Sequence, residues 1–261
     1  MIFSKKSLGQ NFLIDKNIIQ KIINLKKIKD RHVVEIGSGK GALTDKILEA
    51  SPKSLKIIEK DKNLYSFLKN KYSKIKSIDI YNEDILTFNL ERTIKKNSII
   101  FGNLPYNISS QILVKILKFK DLPPKHRDII FMFQKELGEK IIGKFSSSNY
   151  GRLSILTNYK LEILNKFIVS PNCFNPRPKI NSMVIHFKPK KKFLFKIRRI
   201  ENLEKVTNIL FSNKRKMINK NIKKILYEDE INEISNFKMN LRPAEIKPEI
   251  YYKITELFEK K

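Results

Sequence analysis

The chain has 261 residues, of which 54 are lysine or arginine and 26 aspartate or glutamate, for a formal net charge of +28. A hydrophobic content of 41% allows a proper core and excludes a disordered basic tail, and the charge makes a polyanion, nucleic acid first, the partner to consider. One cysteine, Cys173, and three scattered histidines, His32, His126 and His186, exclude a disulfide framework or a zinc site, so a reducing, cytoplasmic setting and no metal are expected.

The opening "MIFSKKSLGQ" has no hydrophobic signal core, and even "IIFMF" at 129–133 is far too short to span a bilayer, so no membrane is expected. Beyond it, short apolar runs alternate with helical patterns. "HVVEIG", "SLKIIEKD", "SIDIYNED", "SIIFGN" and "RDIIFMFQ" read as strands, and "ALTDKILEA", "KNLYSFLKNKY" and "SSQILVKILKF" as helices between them. Strand and helix in turn define an α/β, parallel, doubly wound sheet. From about Leu161 two strand-like runs, "LEILNKFIVS" and "SMVIHFKP", flank the proline-rich "PNCFNPRPKIN" with no helix between them, which predicts an antiparallel pair at the sheet edge. At "KPKKKFLFKIRR" the composition shifts. Leu203, Val206, Ile209 and Leu210 then share a helical face, and Lys214, Arg215, Lys216, Lys220, Lys223 and Lys224 crowd the next segment. A first domain over 1–189 and a small basic helical domain over 190–261 are expected, although a merely solvated charge run accounts for any single one of those lysines equally well.

The chemistry gathers at strand ends. In "EIGSGKGALT", Gly37, Gly39 and Gly41 stand between a buried strand and a helix, where glycine permits a sharp turn and close approach to a ligand. The same letters satisfy a dinucleotide fingerprint, so two nucleotide cofactors stay open at this point. Glu59 ends the second strand, where a carboxylate can accept from both ribose hydroxyls; the alternative is an acid serving the following helix N-terminus. In "NEDIL", Asp84 is an acceptor suited to an adenine amino group and Ile85 can pack on the ring, with a capping acid as the plainer reading of Asp84. "FGNLPYNIS" then breaks a strand at an Asn-Leu-Pro-Tyr elbow, because Pro105 has no N–H for the ladder and holds Leu104 extended. Glycine turn, Glu59, Asp84 and Asn103 follow one another at successive strand ends, the order an S-adenosylmethionine fold requires.

These stretches, with "GQNFLID", "FQKELGEKI", "YGRLSIL" and "FNPRPKINSMVIHF", resemble the small-subunit rRNA adenine dimethyltransferases, from near Gly9 to Pro189 and more weakly through "FSNKRKMINKNI" and "LRPAEI". The resemblance implies a Rossmann-like S-adenosylmethionine-dependent methyltransferase sheet with a small all-helical C-terminal domain. It implies dimethylation of two adjacent adenosines near the 3′ end of small-subunit (16S) rRNA, with the immature subunit as partner and S-adenosylhomocysteine as by-product; a monomer is expected, although the sequence does not fix the oligomeric state. Residue by residue, it puts Asn11 and Leu13 at the methionine end of the cofactor, Gly37 in its glycine turn, Glu59 at the ribose, Asp84 at the adenine, and Asn103 between cofactor and target; Gly39 and Ile85, read from the motifs themselves, are expected beside Gly37 and Asp84. The Asn103 oxygen and the Leu104 carbonyl would draw the target nitrogen toward tetrahedral geometry, Pro105 would hold that carbonyl, and Tyr106 would stack on the extruded base. Phe174 would close the base's other face or, equally, serve the core. Ser38 and Lys40 stand where the small-subunit enzymes often carry proline and a small or apolar residue. In this they are closer to the resistance methyltransferases of large-subunit rRNA, which form the second reading. A non-catalytic RNA-binding assembly factor is a third, and would have let the cofactor acids or the elbow decay. A nicotinamide dehydrogenase is the fourth, and gives Asn103 to Tyr106 no use.

Overall fold

The computed structural model describes residues 9–121, 124–235 and 237–261, so most of the opening stretch read for a signal core lies outside the described residues. In chain order the elements are β1 (Phe12–Leu13), α1 (Lys16–Ile23), β2 (His32–Ile36), α2 (Ala42–Glu49), β3 (Ser54–Ile58), α3 (Lys62–Lys71), β4 (Ile78–Tyr81), α4 (Leu90–Thr93), β5 (Ser98–Asn103), α5 (Ser109–Leu117) and β6 (His126–Gln134). There follow α6 (Lys135–Ile141), α7 (Arg152–Lys160), β7 (Leu161–Val169), β8 (Phe174–Asn175), β9 (Ser182–Pro189), α8 (Ile200–Leu210), α9 (Asn219–Ile222), α10 (Glu228–Asn232) and α11 (Pro248–Phe258).

Seven strands form one sheet in the order β4-β3-β2-β5-β6-β9-β7. The pairs from β4 to β6 are parallel, and β9 runs antiparallel to β6, with β7 beyond it at the edge. Parallel strands covered on both faces need apolar residues throughout, which is why β5 and β6 are near-continuous runs. Ile99, Ile100, Phe101, Ile129, Phe131 and Phe133 are at most 1% exposed. Each such side chain contributes about 1.5–3 kcal/mol by leaving water. From β2 the chain winds outward through β3 to β4, then returns to lay β5 on β2's other side. Between β2 and β5 the winding reverses, and ligands of open α/β sheets settle outside the strand ends at such a point. Local signals start the helices there. Asp15 caps α1 by accepting from Ile18 N–H at 2.9 Å, Asp61 caps α3 through Asn63 N–H at 2.9 Å, and Gly41 opens α2 at φ +84°.

Chain contacts divide the protein into two compact units, one taking the chain up to Gly138 with Ile163–Pro189, the other Glu139–Glu162 with Lys190–Lys261. The second unit is therefore not the continuous 190–261 stretch that composition suggests. Residues 139–162 join it because α7 is built into its core: the Tyr252 hydroxyl donates to the Ile155 carbonyl at 3.0 Å, and the Tyr159 and Tyr252 rings lie 5.1 Å apart. Leu203, Val206 and Leu210 of α8 are fully buried in the same unit, whereas Lys214, Arg215, Lys216, Lys220, Lys223 and Lys224 are all exposed. Among the described residues no helix is long and apolar enough to cross a membrane, and no group of His, Cys, Asp and Glu could hold a metal ion.

Candidate active site

A cleft of about 640 Å³ opens at the carboxyl ends of β2, β3 and β5, within the first unit. Asn11, Leu13, Gly37, Gly39, Glu59, Asp84, Ile85 and the elbow Asn103 to Tyr106 all line it. The strand ends bring these together because β2 lies between β3 and β5, with Ile36 paired to Ile58 on one side and to Gly102 on the other. Gly37 carries the turn away from β2 at φ +69°, a backbone conformation that favours glycine, and a Cβ there would lie 3.8 Å from the Asn103 carbonyl oxygen.

Glu59 is 6% exposed. Its Oε2 accepts from Gly39 N–H at 3.1 Å and its Oε1 from Asp61 N–H at 3.0 Å, so it stitches the glycine turn to the start of α3. The side-chain cap of α3 is Asp61, and Glu59 adds one bond at the same helix start, to the Asp61 N–H, while its other oxygen holds the glycine turn. Burial pushes the Glu59 carboxyl above the usual range, against the pull of those N–H groups. Asp84 stands past the end of β4. Its Oδ2 takes the Lys60 ammonium at 2.7 Å and its Oδ1 the Leu86 N–H at 2.9 Å, and these two, Lys60 first, hold its carboxyl below the usual range. Ile85 beside it is 6% exposed.

At the elbow, Asn103 donates its amide Nδ2 to the Asn11 carbonyl at 3.0 Å. A carbonyl can only accept, so this bond fixes which end of the amide points where. The Asn103 Oδ1 is left without a donor among the described residues, as is the carbonyl of Leu104, whose own side chain is buried. Tyr106 lies half-buried with its hydroxyl 2.6 Å from Ser182 Oγ, which anchors the ring. Phe174 goes elsewhere. It pairs with Leu13 across the two-stranded β1–β8 ribbon, is 3% exposed, belongs to the hydrophobic core and does not line the cleft, so here it serves packing and not the face of a base.

Among the lining residues that the sequence reading gave no role, three have polar side chains tied into the site's hydrogen bonds. Glu35, inside β2, is 1% exposed and takes the Thr44 hydroxyl at 2.6 Å on Oε2, while its Oε1 has no partner; burial pushes its carboxyl up to about 8. A lone charge in the apolar run "HVVEI" is the signal that could have found it. Lys60 is the second. The third is Gln10, whose Nε2 donates to Asp61 Oδ2 at 3.2 Å.

A doubly wound sheet with a glycine turn, an acid on the next strand and an acceptor elbow at the switch point defines a Rossmann-like methyltransferase. Residues 2–260 match the ribosomal RNA adenine dimethylase family. A ribosomal RNA small subunit methyltransferase A from Pelagibacter ubique (strain HTCC1062) is 43% identical over 98% of this chain and 97% of its own. Among solved structures, a dimethyladenosine transferase from Plasmodium falciparum superposes with a TM-score of 0.76 at 26% identity, covering 95% of this chain and 98% of that one. The 23S rRNA methyltransferase ErmE shares the fold, at a TM-score of 0.69 and 22% identity over 95% of this chain and all of that one. The chain belongs to the ribosomal RNA adenine dimethylase family.

Proposed function

We propose that this protein transfers methyl groups from S-adenosylmethionine to the exocyclic amino nitrogen of two adjacent adenosines near the 3′ end of 16S rRNA, dimethylating each during small-subunit assembly in the cytoplasm. The observation that carries the reading is the pair of unspent acceptors on Asn103 and Leu104, at the mouth of a cleft otherwise suited to a nucleoside cofactor.

The cleft fits that cofactor. Buried polar atoms without partners, Glu35 Oε1 and Ser38 Oγ, belong to residues lining it beside the glycine turn, where a charged amino-acid end calls for polar contacts. Glu59 offers lone pairs beyond those its two N–H donors use, for ribose hydroxyls, and Asp84 with the buried Ile85 offers an acceptor and an apolar face for adenine. When bound, the cofactor supplies an electrophilic methyl group on a sulfonium. Everything else falls to the chain.

An adenine amino nitrogen is a weak nucleophile because its lone pair is delocalised into the ring. Two acceptors on its N–H groups, Asn103 Oδ1 and the Leu104 carbonyl, localise that pair and aim it. No strong base is required, since the nitrogen sheds its proton after attack, and preorganised alignment supplies most of the acceleration. Tyr106, anchored through Ser182, gives the extruded base a ring to stack on, worth ~1–3 kcal/mol. The exposed lysines and Arg215 of the second unit supply sequence-independent attraction for the RNA backbone.

Support for the small subunit comes from the 43%-identical relative, whereas the likeness to ErmE is one of fold. The test is mass analysis of RNA from undermethylated 30S and 50S subunits incubated with the protein and labelled S-adenosylmethionine. Dimethyladenosine in 16S rRNA is expected. Label in 23S rRNA alone, or none at all with cofactor bound, would overturn the reading.

A further inference from the structure

The strap from Gly9 to Leu13 lines the cleft and bonds both to the elbow at Asn103 and to Asp61 beside Glu59. On one side the Asn11 carbonyl accepts the Asn103 amide at 3.0 Å. On the other, Gln10 Nε2 donates to Asp61 Oδ2 at 3.2 Å, while Asp61 N–H holds the carboxylate of Glu59 at 3.0 Å. Between these, Phe12 lies against the glycine turn, so closely that a Cβ built on Gly39 would fall 2.8 Å from its Cδ1. The strap's far end is fixed by Leu13, paired with Phe174, and by Ile14 N–H on the Cys173 carbonyl at 2.8 Å. Its near end has the Gln10 bond.

We propose that Gln10 is a positioning residue for methyl transfer: through Asp61 it ties the strap to the turn that carries Glu59, so that the Asn11 carbonyl stays in place to orient the Asn103 amide. The inference rests on the reading of this cleft as the methyl-transfer site. Its physical basis is that an amide side chain has two ends of opposite polarity. Held at Nδ2, Asn103 presents Oδ1 to the target; if the Asn11 carbonyl drifts away, the amide rotates freely and presents a donor N–H as readily as an acceptor. One residue, Asp61, thereby joins the ribose acid to the catalytic acceptor, and a cofactor that settles Glu59 also settles Asn103.

Two substitutions test the tie by reversing it. Gln10→Glu sets a carboxylate against the Asp61 carboxylate, and adding Asp61→Asn restores a donor and an acceptor with their roles exchanged, Asn being as good a helix cap as Asp. Gln10→Glu is expected to lower the single-turnover methylation rate about ten- to a hundredfold, the scale of a lost bond to a charged group, and the double substitution is expected to recover most of it. In an Asn103→Ala background Gln10→Glu should slow transfer little further, because the group it positions is gone. S-adenosylmethionine affinity by calorimetry and thermal midpoints are read alongside. An unchanged rate in Gln10→Glu, no recovery in the double variant, or an undiminished effect without Asn103 would each overturn the inference. A wild-type protein that binds S-adenosylmethionine but methylates no rRNA would instead overturn the functional reading beneath it.

Discussion

Replacing Asn103 with alanine separates chemistry from binding. The substitution removes the Oδ1 acceptor and also the donor that occupies the Asn11 carbonyl, but it leaves Gly37, Glu59 and Asp84 lining the cleft and the second unit's basic surface untouched. A preorganised group of this kind is worth about 2.7–4 kcal/mol in the transition state, so the rate of transfer should fall ~10²–10³-fold. The Asn11 carbonyl loses its partner in a half-buried setting, which costs about 1–3 kcal/mol of stability at most. That loss has to be seen apart from the catalytic one. The assay is single-turnover methylation of undermethylated small subunits, at a temperature where circular dichroism shows the variant folded, with RNA and cofactor affinities measured in parallel. Asn103→Asp sharpens the test, because a carboxylate facing the Asn11 carbonyl must turn away or repel it, so an acceptor is retained but its aim is lost. A folded Asn103→Ala protein that methylates at the wild-type rate would reduce the elbow to a turn and end the mechanism argued from it.

Glu59→Ala should weaken S-adenosylmethionine binding by about 1–3 kcal/mol through lost charge-assisted bonds, and calorimetry on the folded variant decides it. Burial pushes the Glu35 carboxyl up to about 8 in the folded chain, while in the unfolded chain it loses its proton near the ordinary value of 4.5. Its contribution to stability is therefore complete at low pH and declines as pH rises through that window, by at most about 1.4 kcal/mol per unit. Glu35→Gln should flatten that part of the stability profile without cofactor, and denaturation series from pH 5 to 9 that superpose for the two proteins would refute the buried carboxyl's role. Reversing charge at Lys214, Arg215, Lys216, Lys220, Lys223 and Lys224 should lower RNA affinity and flatten its salt dependence. If the salt slope does not move, those side chains form only a solvated face; cofactor affinity should be unchanged either way.

The central strands were legible because burial on both faces leaves a run such as "SIIFGN" no polar alternative, and the site followed from them because β2, β3 and β5 end where the chain changes residue type abruptly. Other features leave too little pattern to read. The β1–β8 ribbon has two residues in each strand, shorter than any period, yet it draws Phe174 into the core. In α7 the buried residues Ser154, Ile155, Leu156, Thr157 and Tyr159 lie nearly all round the helix, so no stripe shows that 139–162 packs with the later helices. Lys60 reads as one more surface lysine until the fold sets it 2.7 Å from Asp84. Pairings between segments distant in sequence are properties of the closed sheet, and composition cannot announce them.

On the proposed mechanism, in which Asn103 Oδ1 and the Leu104 carbonyl accept from the target nitrogen, the elbow also suits a reaction that must run twice on one nitrogen. Before the first transfer the amino group has two N–H bonds and can engage both acceptors; afterwards it has one, and a methyl group in place of the other. A carboxylate at position 103 would hold the first substrate more tightly through its charge, but it would resist the positive charge's departure as the nitrogen sheds its proton and the product leaves. An amide oxygen makes a weaker, neutral bond that the monomethylated base can exchange for one with the Leu104 carbonyl at little cost. The geometry allows this because the two acceptors differ in stiffness: Leu104 is fixed by its buried side chain and the proline after it, whereas Asn103 depends on a single bond to Asn11 for its aim. The rigid acceptor can then set where the nitrogen sits in both rounds, and the adjustable one can yield room for the first methyl group.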